Sequence, residues 1–204
     1  MDYYEQFNQP NVHLVDVSST EISRLNETGL QLADGTQHDF DVIILATGFD
    51  TSTGGLMDMG LGNINGVPLK EEWKDSVSTY LGLSISGYPN LFFTYGPHAS
   101  SAFSNGPSTI EVQGRWIAET IKLMEEKSIK SIDPTLEAQK AWKDKINALS
   151  NQSLVPTVPS TWMGGTFPGK PFEQLNYTGG LPTYKEEING VLPELKGFNV
   201  VMND

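Results

Sequence analysis

The sequence predicts an α/β fold on three observations. Five apolar residues, Val42 to Ala46, run into Thr47-Gly48 within the stretch DVIILATGFD. A short, continuous apolar run ending at a glycine reads as a strand buried on both faces, and such strands belong to sheets covered by helices. A second apolar run, Leu91-Phe-Phe-Thr-Tyr95, also stops at a glycine, Gly96-Pro97. Beyond residue 108 the apolar spacing changes to a helical period.

Taken in order, Val12 to Val17 reads as a short strand. Glu21 to Leu25 and Leu30 to Ala33 read as a hairpin around Asn26-Glu-Thr-Gly29, and Asp34-Gly35 supplies a second tight turn. This antiparallel ribbon feeds the buried run at 41–46. Residues 51–70 are rich in glycine and read as loop, as do residues 98–107. A helix is expected over Ser108 to Lys127, with Ile110, Ile117, Ile121 and Met124 as its apolar stripe. A second helix is expected from Asp133-Pro134, an N-cap followed by proline, with Ala138, Trp142, Ile146 and Leu149 as its stripe. Past residue 153 helical periodicity fades into turns and aromatics, so a long ordered loop is expected, with a short helix over Glu186 to Leu192.

Composition narrows the function classes. The chain has 204 residues, 38% of them hydrophobic and 19% charged, which suits a globular domain or part of a larger one. Its formal charge of −12 argues against nucleic acid or an anionic membrane as partner. There is no cysteine, hence no disulfide and no thiolate chemistry. The sequence shows no apolar run of spanning length and no signal-peptide pattern, so a cytoplasmic location is expected. The Asn-x-Ser/Thr triplets at Asn26, Asn151 and Asn176 are read as chance.

Gly60-Leu-Gly62-Asn-Ile-Asn-Gly66 has neither the preceding strand nor the following helix that a dinucleotide loop needs, so it reads as a turn. His13, His38 and His98 are too far apart for a metal site. No G-x-S-x-G nucleophile turn occurs. Ala46-Thr47-Gly48 has two readings, a tightly packed strand end or a place where the backbone approaches a cofactor. Trp162, set between turn residues, reads as core aromatic or pocket lid and leans to the surface.

Together these segments resemble the flavin-dependent Baeyer–Villiger monooxygenases. The resemblance rests on DYYEQFNQPNVHLVDV, LADGTQHDFDVIILATGFD, STYLGLSISGYPNLFFTYGP, SAFSNGPSTIEVQGRWI, TWMGGTFPGKP and YTGGLPTY, in the family's order. It covers the C-terminal part of that family. It implies a partial Rossmann-like FAD/NAD(P)-binding domain with an antiparallel ribbon, two main helices and a long C-terminal loop region. Residues 1–40 would end the NADP domain, and residues 41–204 would form the C-terminal part of the FAD domain.

By the same resemblance, Thr47, Gly48, Pro97, Ser104, Asn105 and Gly106 lie toward the flavin. Ser101, Ala102 and Phe103 line the pocket for a ketone, a small-molecule substrate. Trp162 closes over the nicotinamide cofactor. FAD and NADPH are thus implied as cofactors. The family's two GxGxxG loops and the arginine it places beside the flavin have no counterpart in these 204 residues. The isolated chain is therefore expected neither to hold FAD tightly nor to oxidise ketones. Val42 to Ala46 would need cover, either from a missing N-terminal half or from self-association as a dimer. The alternative is a repurposed, non-redox cyclase or isomerase on a biosynthetic intermediate, or a binding protein, with His98, Tyr95, Asp50 or Glu111 as acid or base.

Overall fold

The computed structural model describes residues 2–48, 52–99, 104–157 and 173–203. The chain divides into two compact units, Met1–Gly48 and Phe49–Asp204.

The first unit opens with a single helical turn, α1 (Tyr3–Gln6), and contains a three-stranded antiparallel sheet of β1 (Ile22–Leu25), β2 (Gly29–Leu32) and β3 (Gln37–Asp39) in that order. The predicted hairpin forms because Asn26 Oδ1 accepts the N–H groups of Thr28 at 3.1 Å and Gly29 at 2.9 Å. A side chain that satisfies the turn's own backbone is the reason asparagine favours this position. Gly29 is obligatory in this hairpin, since a Cβ there would meet the His38 carbonyl oxygen at 2.0 Å.

The buried strand expected at 41–46 is not formed. Val42 to Leu45 pair with no strand among the described residues, and Val42 and Leu45 are 75% and 72% exposed. The sequence pattern calls for strand neighbours on both sides, and no described strand pairs with it. Residues 12–17 likewise form no strand, with Leu14, Val15 and Val17 exposed.

The second unit holds the helices. Two short ones, α2 (Gly54–Asp58) and α3 (Leu69–Glu72), lie in the segment read as loop. Residues 91–95 are irregular rather than a strand. The long helix α4 (Gly106–Glu126) forms as predicted but is rotated. It buries Thr109, Gln113, Trp116 and Thr120, and leaves Ile110 and Ile121 exposed. Polar groups can face inward because each is satisfied: Trp116 Nε1 donates to the Ile188 carbonyl at 2.8 Å and Thr120 Oγ1 to the Trp116 carbonyl at 2.8 Å.

Next comes β4 (Ile129–Pro134), which pairs antiparallel with the last strand, β5 (Phe198–Met202). The Asp133-Pro134 pair expected to cap a helix ends this strand instead. Helix α5 (Leu136–Ser150) is capped by Thr135, whose side chain accepts from Ala138 N at 3.1 Å, and it buries Trp142 and Ile146 as expected. Helix α6 (Leu181–Val191) begins ahead of the predicted Glu186 and buries Tyr184, Ile188 and Val191.

Two apolar clusters result. The larger gathers Leu83, Ala99, Trp116, Ile132, Trp142, Ile146, Tyr177, Tyr184 and Ile188. The smaller joins Leu69, Trp73, Val77, Ile85, Tyr88 and Leu175. Leu175 and Tyr177 thus sit in different clusters, so the tract between them links both.

Candidate functional site

The loop that follows residues 91–95 is fixed at its start by one side chain. Tyr95 takes the left-handed backbone conformation, φ 57°, which a bulky residue adopts only when held there. Its N–H donates to Gln113 Oε1 at 2.8 Å. Gln113 is fully buried on α4, and its amide donates to the Gly82 carbonyl at 3.2 Å and the Tyr184 hydroxyl at 2.8 Å. Tyr184 in turn donates to the Leu81 carbonyl at 2.7 Å. Burial pushes the Tyr184 hydroxyl pKa up, so it stays a neutral donor.

His98 is clamped next. It is 0% exposed with φ 66°. Its ring Nδ1 lies 3.1 Å from Thr79 Oγ1, which also reaches the Pro97 carbonyl at 3.2 Å. The His98 N–H donates to the Leu175 carbonyl at 2.6 Å, and its own carbonyl accepts from Trp142 Nε1 at 3.3 Å. One step on, Tyr177 N donates to the Ala99 carbonyl at 2.8 Å, within a parallel bridge between Ala99 and Asn176. Gly82 permits this approach, since a Cβ there would lie 2.6 Å from the Ala99 nitrogen. Burial, and secondarily the Lys143 charge, drive the His98 pKa down to about 3, against a smaller opposing pull from the Gln174 backbone. The ring is therefore neutral and shut off from solvent, which does not suit the acid–base role expected for it.

The tract facing it is anchored by charge. Glu173 pairs with Lys143 Nζ at 2.5 Å and accepts the Val77 N–H at 3.0 and 3.1 Å. Lys143 also donates to the Val77 carbonyl at 2.8 Å and to Ser76 Oγ. Trp142 stacks on Tyr177 with ring centroids 5.6 Å apart and 11° between planes.

On the far side of the loop, Ser104 and Asn105 lead into α4. The Asn105 side chain caps the helix by accepting from Ser108 N at 3.4 Å. No acidic side chain occupies the first turn, and a Cβ at Gly106 would sit 3.3 Å from the Tyr95 ring. A helix N-terminus of this kind favours negative charge. Glu111 is taken up by an exposed ion pair with Arg115. Thr47 and Gly48 lie in the first unit, both exposed, with Gly48 at φ 86°. Asp50, Ser101, Ala102, Phe103 and Trp162 fall outside the described residues.

The structure therefore clamps Tyr95, Pro97 and His98 in one tract, brings the Tyr95 ring beside Gly106 at the start of α4, and leaves Glu111 engaged elsewhere. Sequence reasoning missed Thr79, Gln113, Lys143 and Glu173, the residues that hold the loop. A glutamine inside an otherwise apolar helix face was the one available signal. Among the described residues no His/Asp/Glu group could hold a metal ion, and no helix is long and apolar enough to cross a membrane.

No protein-family model matches the chain. It is similar over 203 residues to the FAD-binding monooxygenase acrE of Aspergillus aculeatus, at 52% identity, covering 100% of this chain and 34% of that protein. Cyclopentanone 1,2-monooxygenase from a Comamonas species is 42% identical over 92% of this chain and 34% of its own length. A Baeyer–Villiger monooxygenase of Pseudooceanicola batsensis is 36% identical over 100% of this chain and 36% of its own. Among solved structures, closed cyclohexanone monooxygenase superposes with a TM-score of 0.90 at 33% identity, covering 100% of this chain and 38% of that one. A complex of OTEMO with FAD and NADP gives 0.89 at 32% identity over 98% of this chain and 37% of that one. The chain thus spans little more than a third of the length of the proteins it matches.

Proposed function

The chain belongs to the flavin-dependent Baeyer–Villiger monooxygenases, as a C-terminal portion of their length, and we propose that it supplies the ketone side of such an enzyme's flavin site. The supporting observation is a match that runs the length of this chain and 34% of the acrE monooxygenase, combined with a buried clamp under the tract Pro97–Ala99.

On this reading the loop 97–106 carries the pocket. Pro97 and Ser104 to Gly106 face the flavin, Ser101 to Phe103 meet the ketone, and Trp162 closes over the nicotinamide. FAD, reduced by NADPH and supplied with oxygen, would furnish the oxygen atom inserted beside the carbonyl. The chain's own residues orient and enclose. Gln113 fixes Tyr95 at the loop entrance, the open first turn of α4 offers N–H groups to an electron-rich ring, and the clamp keeps the loop at one depth. Anchoring of the FAD and NADPH pyrophosphates falls to residues outside these 204, since no GxGxxG loop is among them. The apolar run Val42 to Leu45 is the surface on which flanking strands, or a second copy, would close.

The test is reconstitution. The 204-residue chain, purified alone, should be colourless. Combined with a polypeptide carrying the family's two dinucleotide loops, it should retain flavin and convert a cyclic ketone to a lactone with NADPH consumption. Stoichiometric flavin in the unaccompanied chain would overturn the division of labour. A flavin-loaded assembly that oxidises no ketone would overturn the reaction.

A further inference from the structure

His98 concentrates three local costs. It holds φ 66°, a backbone conformation unfavourable for a residue with a Cβ. It buries a polar ring completely. Its Nε2 is buried and makes no well-formed hydrogen bond, and the Gln174 backbone exerts only a smaller pull on the ring. A glycine would take the same backbone path more cheaply, and an apolar side chain would avoid the orphaned nitrogen. Costs that accumulate at one buried residue mark a place where geometry is enforced.

We propose that His98 is a positioning residue: its ring, seated on Thr79, holds Pro97–Ala99 against Leu175–Tyr177 and so fixes the point from which the chain runs into the ketone pocket. The word pocket rests on the proposed function, whereas the clamp itself rests on geometry alone. Three elements converge on the residue. Thr79 takes its ring, Trp142 of α5 takes its carbonyl, and Leu175 takes its N–H. The next residue continues the bridge through the Ala99 carbonyl and Tyr177 N–H. Glu173, tied to Lys143 and Val77, secures the opposite tract. The two tracts are thus a single unit: what loosens the His98 side releases the Tyr177 side as well. The residues assigned to the ketone follow His98 by a few positions.

Amide exchange by NMR on the 204-residue chain decides it. The rates at residue 98, Tyr177 and, as a control, Ile132 are followed in wild type, His98→Ala, His98→Asn and Thr79→Val. Asparagine tolerates the left-handed backbone and can still bond Thr79, whereas alanine cannot bond it. Thr79→Val leaves His98 in place and removes the hydroxyl. Residue 98 and Tyr177 should exchange faster together, by about tenfold or more, in His98→Ala and Thr79→Val, with Ile132 unchanged and His98→Asn close to wild type. Acceleration at Ile132 as well would reduce His98 to a general structural residue and overturn the proposal. An unchanged Tyr177 would do the same. In flavin-loaded enzyme containing this chain, Thr79→Val should raise the ketone KM several-fold with a smaller change in kcat. An unchanged KM alongside released amides would confine the clamp to stability and overturn its positioning role. If the wild-type enzyme oxidises no ketone, the proposed function fails while the exchange result still decides the clamp.

Discussion

At the scale of single residues, His98 ties stability to pH. Folding lowers its pKa from 6.5 to about 3, chiefly through burial. As pH falls below 6.5 the unfolded chain takes up the proton first, so the folded state loses ground progressively down to about pH 3. Above 6.5 both states are neutral and the contribution is complete. The slope reaches about 1.4 kcal/mol per pH unit. Denaturant titrations at a series of pH values should show wild type losing more stability than His98→Asn between neutral and acid pH, and equal slopes would mean that His98 is not buried as described. Reading the sequence placed His98 in the right loop yet misjudged its environment, because burial depends on Trp142 and Leu175, far away along the chain. The role of Gln113 was hidden for the same reason, although its place in an apolar stripe was a signal. Its partners, Tyr95, Gly82 and Tyr184, come from three separate segments.

At the scale of elements, local signals were legible and long-range ones were not. The hairpin at Asn26 carries its own turn residues and the helices α4 and α5 their own periodicity, so the sequence declares them, whereas α6, with no side-chain cap, was read only from Glu186 onward. The strands β4 and β5 were missed: they lie far apart along the chain, and β4 mixes Lys130, Ser131 and Asp133 with its apolar residues. The face of α4 was misread because Trp116 and Gln113 outweigh the isoleucine stripe once their polar atoms find partners. The ion pair between Lys143 on α5 and Glu173 shows what such a distant link contributes. Their side chains are only 20% and 13% exposed. Glu173→Gln leaves the cation without its counter-charge, a loss of up to about 3–5 kcal/mol, the figure for fully buried pairs. Replacing both members, with Lys143→Met and Glu173→Leu, should recover part of it, since paired burial is itself unfavourable. Equilibrium unfolding of the three variants checks this, and a Glu173→Gln chain as stable as wild type would show the pair to be a surface contact.

At the scale of the whole molecule, the two units differ in how much apolar surface they bury. The second has two clusters built around Trp116, Trp142, Tyr177, Leu69 and Trp73. In the first, Leu32 is the buried core hydrophobe among the described residues, while Leu14, Val15, Val17 and Val42 to Leu45 stay exposed. A segment with so little buried apolar area has little to set against its conformational entropy. Limited proteolysis of the 204-residue chain should therefore cut first within residues 12–17 and 41–48, with the region from α4 to β5 surviving longer. Cover for Val42 to Leu45 should reverse the order. If a second copy provides it, protection rises with protein concentration. If the strands come from the flavin-anchoring part of the enzyme, protection appears at a fixed concentration once that polypeptide is added, together with flavin retention. Mass spectrometry of the fragments separates the two, and equal cleavage of both units under every condition would mean that the exposed run is not an interface.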